Sequence, residues 1–161
     1  MGDLVKVGMA DLKTTKSPGI LTTLGLGSCV GICLYDPVVK VSGMAHIMLP
    51  SSKSIRNNSN LYKFADTGID LLIKEMVKKG AVKHRLISKI AGGAQMFSFA
   101  SKSDIMKIGE RNVIAVKKLL KTYGIPIKAE DTGGSYGRTI EFHSLNGKLT
   151  VKTIGHGIKE F

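Results

Sequence analysis

The chain has 161 residues, of which 43% are hydrophobic and 22% charged, a composition that suits one globular domain with a sizeable core. No apolar run approaches the roughly 18 residues needed to span a bilayer, and Met1 to Lys6 lacks a signal-peptide core, so membrane insertion is not expected. The formal net charge is +12, but the lysines are scattered with few aromatics among them, which is the pattern of a solvated surface rather than of a nucleic-acid reader.

Two cysteines are present, Cys29 and Cys33. On one strand they would stand about 13 Å apart, beyond the about 7 Å that a disulfide tolerates. Reduced thiols and a cytoplasmic setting are therefore expected. His46, His84, His143 and His156 are dispersed without paired metal-ligand spacing, and no metal is expected.

Residues 1–19 read as an irregular lead-in with one short strand through Val5, Val7 and Met9, closed by a turn at Ser17-Pro18-Gly19. Ile20 to Thr23 reads as a strand entering Leu24-Gly25-Leu26-Gly27-Ser28-Cys29. Strands follow over Val30–Tyr35 and Lys40–Leu49, where β-branched and large apolar residues are bounded by turn residues. Ser51 to Asn60 is polar and predicts a surface loop, with Ser59 or Asn60 as a helix cap. Leu61 to Lys79 shows helical spacing in Leu61, Ala65, Ile69, Leu72, Ile73 and Met76, with Gly80 placed to end the helix. Leu86–Ala91 predicts a strand, Glu110–Tyr123 a second helix stopped by Gly124, and Ile125–Ala129 another strand. Arg138–Ser144 and Lys148–Thr153 predict a hairpin about Asn146-Gly147, with Phe142 opposite Val151 and Glu141 opposite Lys152. Gly155–Phe161 is a tail or edge strand. Many strands with two helices predict an α+β domain spanning residues 1–161.

The chemistry concentrates at one hairpin. Asp36-Pro37 suits a type I turn, and a loop over Asp36–Val39 would close with Tyr35 opposite Lys40. The same register carries Cys29 opposite His46, on one face, with Cβ atoms about 5 Å apart. Val30, Ile32, Leu34, Val41, Ala45 and Ile47 then share the core face. Cys29, Gly31 and Cys33 share the other face with Met44, His46 and Met48, where missing bulk would leave a groove. A thiol beside an imidazole is an activated nucleophile. Gly27 and Ser28 would leave backbone N–H groups for an oxyanion, and a third group should orient the ring. The plainer reading is a small core cysteine and a satisfied core histidine. Gly25-Leu26-Gly27 hints at a dinucleotide loop, but the next glycine, Gly31, falls one place late and a strand follows.

Several stretches resemble the chemoreceptor glutamine deamidase (CheD) family: Thr23-Leu24-Gly25-Leu26-Gly27-Ser28-Cys29, Met44-Ala45-His46-Ile47-Met48-Leu49-Pro50 and Lys63-Phe64-Ala65-Asp66-Thr67. So do Lys89-Ile90-Ala91-Gly92-Gly93-Ala94-Gln95-Met96-Phe97, Ile108-Gly109-Glu110-Arg111-Asn112 and Glu130-Asp131-Thr132-Gly133-Gly134. The resemblance implies hydrolysis of glutamine side chains on methyl-accepting chemotaxis receptors, with release of ammonia and without a cofactor. It implies Cys29 as nucleophile, His46 as acid and base, and Thr23 as the group that supports His46. It also implies a layered fold similar to that of glutamine-deamidating bacterial toxins, and a CheC-type phosphatase as partner. Gly92, Gly93, Thr132 and Gly133 are candidate site walls, or else tight turns that need glycine. The rival reading is a binding module that regulates the phosphatase without catalysis; acyl transfer to an amine would use the same nucleophile and base.

Overall fold

A computed structural model of the chain describes residues 2–54, 58–96 and 107–161. Among the described residues there are ten strands and two α-helices: β1 (Leu4–Lys6), β2 (Asp11–Lys16), β3 (Ile20–Leu26), β4 (Val30–Asp36), β5 (Val41–Ile47), α1 (Ala65–Lys78), β6 (Ile87–Gly92), α2 (Ile108–Thr122), β7 (Ile127–Thr132), β8 (Arg138–His143), β9 (Lys148–Thr153) and β10 (Gly157–Glu160). They form two mixed five-stranded sheets, ordered β1-β3-β8-β9-β10 and β2-β5-β4-β6-β7. The fold is α+β, as the sequence predicts.

The second sheet is sandwiched, which explains the composition of its central strands. Val30, Ile32, Leu34, Val41, Ala45 and Ile47 pack on Ile69, Leu72 and Met76 of α1 and Val116 and Leu120 of α2. The opposite face contributes Cys29, Cys33, Tyr35 and Met44 to a second core with Leu21, Leu26, Ile140, Phe142 and Val151 of the first sheet. β4 and β5 are therefore buried along their whole length, and their apolar runs do not alternate. β8, with one face outward, alternates instead.

Both predicted hairpins form, each with its register moved by two residues. In the first, Asp36 pairs with Val41, so the loop is Pro37–Lys40. Lys40 adopts a left-handed φ of 56°, and its N–H donates to the Asp36 carbonyl at 2.8 Å. In the second, His143 pairs with Lys148, setting Phe142 opposite Leu149 and Glu141 opposite Thr150. Gly147, with φ 76°, donates to the His143 carbonyl at 2.8 Å. A left-handed residue at the end of each loop thus fixes a four-residue connection. A shift of two leaves every side chain on its predicted face.

Other boundaries differ for local reasons. α1 starts at Ala65, not Leu61, because Leu49 bridges to Phe64 and accepts the Ala65 N–H at 2.9 Å. Asn60 caps the preceding turn instead, accepting the Tyr62 N–H. β2, unread in the sequence, is a polar edge strand whose one large apolar residue is Leu12. The two helices end at Gly80 and Gly124, both left-handed.

Candidate active site

The candidate site lies where β4 and β5 open. Thr23 on β3 and His46 on β5 come from different sheets and are each about 1% exposed. The Thr23 hydroxyl donates to the Val7 carbonyl at 2.7 Å and lies 2.7 Å from His46 Nδ1. Its one hydrogen is spent on Val7, so it must accept from the ring, and His46 carries its proton on Nδ1. Nε2 is then a bare lone pair, buried and without a hydrogen-bond partner among the described residues.

Cys29 stands immediately before β4, on the same face as His46. His46 is opposed by Gly31, not by Cys29 as the sequence predicts. The two-residue register shift places Cys29 two residues along the chain from the residue opposite His46, one step beyond the last pair, Val30–Ile47. The predicted groove over Gly31 is absent: a Cβ there would meet Ile140 of β8 at 2.7 Å, because the first sheet fills the space. Cys29 lies at the edge of that packing and keeps 7% exposure, whereas Cys33 is sealed.

Burial sets the electrostatics. Desolvation pushes the Cys29 thiol up, opposed by its own backbone N–H. Desolvation pulls His46 down, opposed by the charge of Asp11, its cross-strand partner. Both shifts favour the neutral forms, thiol and imidazole, over thiolate and imidazolium.

The glycines hold the cysteine turn. Gly93 donates to the Cys29 carbonyl at 2.8 Å and Ala94 to the Gly27 carbonyl at 2.8 Å. Gly92 has φ 114°, and a Cβ on it would stand 2.2 Å from the Cys29 carbonyl oxygen. The Gly27 N–H is engaged with the Gly25 carbonyl at 3.0 Å, leaving the amides of Ser28 and Cys29 nearer the thiol. Gly93, Thr132 and Gly133 line a cavity of about 350 Å³ with Glu110 and Ile114; Thr23, Cys29 and His46 are not among its lining residues.

Two buried residues escaped the sequence reading. Arg138 donates to Asp131 at 3.1 Å and to the Gly92 carbonyl at 3.4 Å, with its guanidinium 4.7 Å from the Tyr136 ring centre. Asn112 donates to the carbonyls of Ser28 and Met48, both at 2.9 Å. Asn112 belongs to a stretch that carries the family resemblance, but its partners are far away in sequence. Segment 97–106, which includes Phe97, lies outside the described residues.

Fold and site define a class: an α+β protein with a cysteine at the margin of a buried threonine–histidine pair. The family model described as "CheD chemotactic sensory transduction" matches residues 48–153. A protein of Caldanaerobacter subterraneus named "Probable chemoreceptor glutamine deamidase CheD" is 70% identical over 156 residues, covering 97% of this chain and 96% of that one. The "Chemoreceptor glutamine deamidase CheD" of Halalkalibacterium halodurans is 55% identical over 161 residues, covering 99% of each chain. The chain belongs to the CheD family.

Proposed function

We propose that the protein is a cysteine-dependent hydrolase that deamidates glutamine side chains of chemoreceptors. The names of its relatives support the substrate and the reaction. The observation that carries the mechanism is the Thr23–His46 hydrogen bond, which leaves Nε2 bare and buried on the Cys29 face.

In the proposed cycle a glutamine carboxamide enters beside Cys29. As Sγ attacks the carbonyl carbon, its proton passes to His46 Nε2. The backbone N–H groups of Ser28 and Cys29 hold the oxyanion. The imidazolium is stabilised at Nδ1–H by Thr23 and, through space, by Asp11. It donates its proton to the leaving nitrogen, the C–N bond breaks, and ammonia departs from a thioester. Water then gives a proton to Nε2 and its oxygen to the carbonyl carbon. The C–S bond breaks and Cys29 is restored as the thiol, with glutamate formed. Thiol and imidazole supply the nucleophile and the acid–base work.

The reaction is assigned to the cytoplasm, in keeping with two free cysteines. The CheC-type phosphatase is the assigned regulatory partner, on the strength of the family resemblance. Incubation with a receptor cytoplasmic fragment, read by mass spectrometry and ammonia release, tests the reading. Conversion of defined glutamines by the wild type and none by Cys29→Ala is expected. Equal conversion by both rejects the mechanism, and no conversion by either favours a binding module.

A further inference from the structure

We infer that Asn112 is a positioning residue that fixes the separation of the nucleophile turn from the base strand. The inference rests on the catalytic reading of Cys29 and His46. The β4–β5 ladder ends at the pair Val30–Ile47, and beyond it the two chains part. The carbonyls of Gly27 and Cys29 are taken by Ala94 and Gly93. The amides of Met48 and Leu49 both turn to the Lys63 carbonyl, at 2.8 and 3.1 Å. Among the described residues no backbone hydrogen bond crosses from 27–29 to 48–49.

Asn112 spans that opening. Its side-chain nitrogen donates to Ser28 O and Met48 O, at 2.9 Å each. Ser28 immediately precedes the nucleophile, and Met48 follows His46 by two residues. Both amide hydrogens are used, and the residue is fully buried. The orientation is fixed by the partners: two carbonyls demand the NH₂ group, leaving Oδ1 without a partner among the described residues. Gly109 lets the helix approach this closely, since a Cβ there would stand 2.3 Å from the Ala94 carbonyl oxygen. One planar amide therefore sets how far the strands can splay, and with it the distance from Sγ to Nε2. Reacting groups displaced by about 1 Å can lose about 100-fold in rate.

Asn112→Ala and the isosteric Asn112→Asp test the clamp, since a carboxylate offers no hydrogen to either carbonyl. The readouts are kcat and KM for deamidation of a receptor cytoplasmic fragment, the rate of Cys29 alkylation by iodoacetamide, and Tm. The expected result is a fall in kcat of about 100-fold with KM little changed and alkylation slowed in parallel. Asn112→Ser, able to serve one carbonyl, should fall between these variants and wild type, and it provides the reading if the others fail to fold. A lowered Tm with wild-type kcat and alkylation would show a purely structural tie and overturn the inference. Cys29→Ala is run alongside. If it stays active, the catalytic reading fails. If it is inactive while the folded Asn112 variants keep full activity, the clamp alone fails.

Discussion

Cys29 and Cys33 lie four residues apart, on the same face of the same sheet, and their environments differ sharply. Cys33 sits in mid-strand opposite Met44 and Lys89, fully buried between the sheets. Burial raises its thiol pKa far above the ordinary value. Cys29 sits one step beyond the paired end of β4, buried but for a 7% exposed remainder, with its carbonyl gripped by Gly93 and its own N–H turned towards its sulfur. Residue type and face are shared, so the difference lies in position along the strand. A thiol inside a ladder is packing; a thiol where the ladder opens can meet a substrate.

The comparison can be broken most directly at the nucleophile. Cys29→Ala should lower the deamidation rate by more than about 10⁴-fold, whereas Cys33→Ala should leave kcat near wild type and cost about 1 kcal/mol in denaturant unfolding. Activity that instead depended on Cys33 would reverse the assignment.

A smaller loss is expected from Gly92→Ala, which puts a Cβ against the Cys29 carbonyl in a left-handed backbone. Strain of about 1–3 kcal/mol should appear in unfolding curves, with a matching fall in activity as the cysteine turn shifts. Thr23→Val removes the acceptor for His46 Nδ1–H and the donor for Val7 O. Leaving buried groups unpaired should cost about 1–3 kcal/mol. Activity should drop as well, since the ring loses its fixed tautomer, and Thr23→Ser should recover much of it.

The mildest test is pH. Because burial lowers His46 from 6.5, the acid limb of kcat/KM should lie below pH 6.5. Because burial raises Cys29 from 9.0, its alkylation should still be accelerating at pH 9.0. The sign for stability follows. Below pH 6.5 the unfolded chain protonates His46 while the folded chain resists, so this residue's contribution falls as pH drops. An acid limb above pH 6.5 would show instead that His46 is not held below its ordinary value.

Much of this was legible beforehand. The apolar set Val30, Ile32, Leu34, Val41, Ala45 and Ile47 lies together against the helices, because a period of two sorts faces and the register moved by an even number of residues. The polar edge strand β2 was not legible, since Asp11 to Lys16 lacks an apolar repeat and is held by pairing with β5. Thr23 is marked only by family resemblance; its hydrogen bond to His46 joins two sheets and leaves no local signature.

By itself the sequence determined most of the elements, β2 excepted, with their inward and outward faces and the association of Cys29 with His46 on one face. Those follow from periodicity, turn residues and side-chain chemistry, all local properties. Tertiary structure decided the register, through left-handed residues Lys40 and Gly147. It also decided the His46 tautomer through Thr23 and Val7, and the opening at Cys29 that Asn112 spans from another layer. The register depends on backbone geometry within each loop, and the tautomer and the opening on hydrogen bonds between residues distant in the chain; periodicity encodes neither.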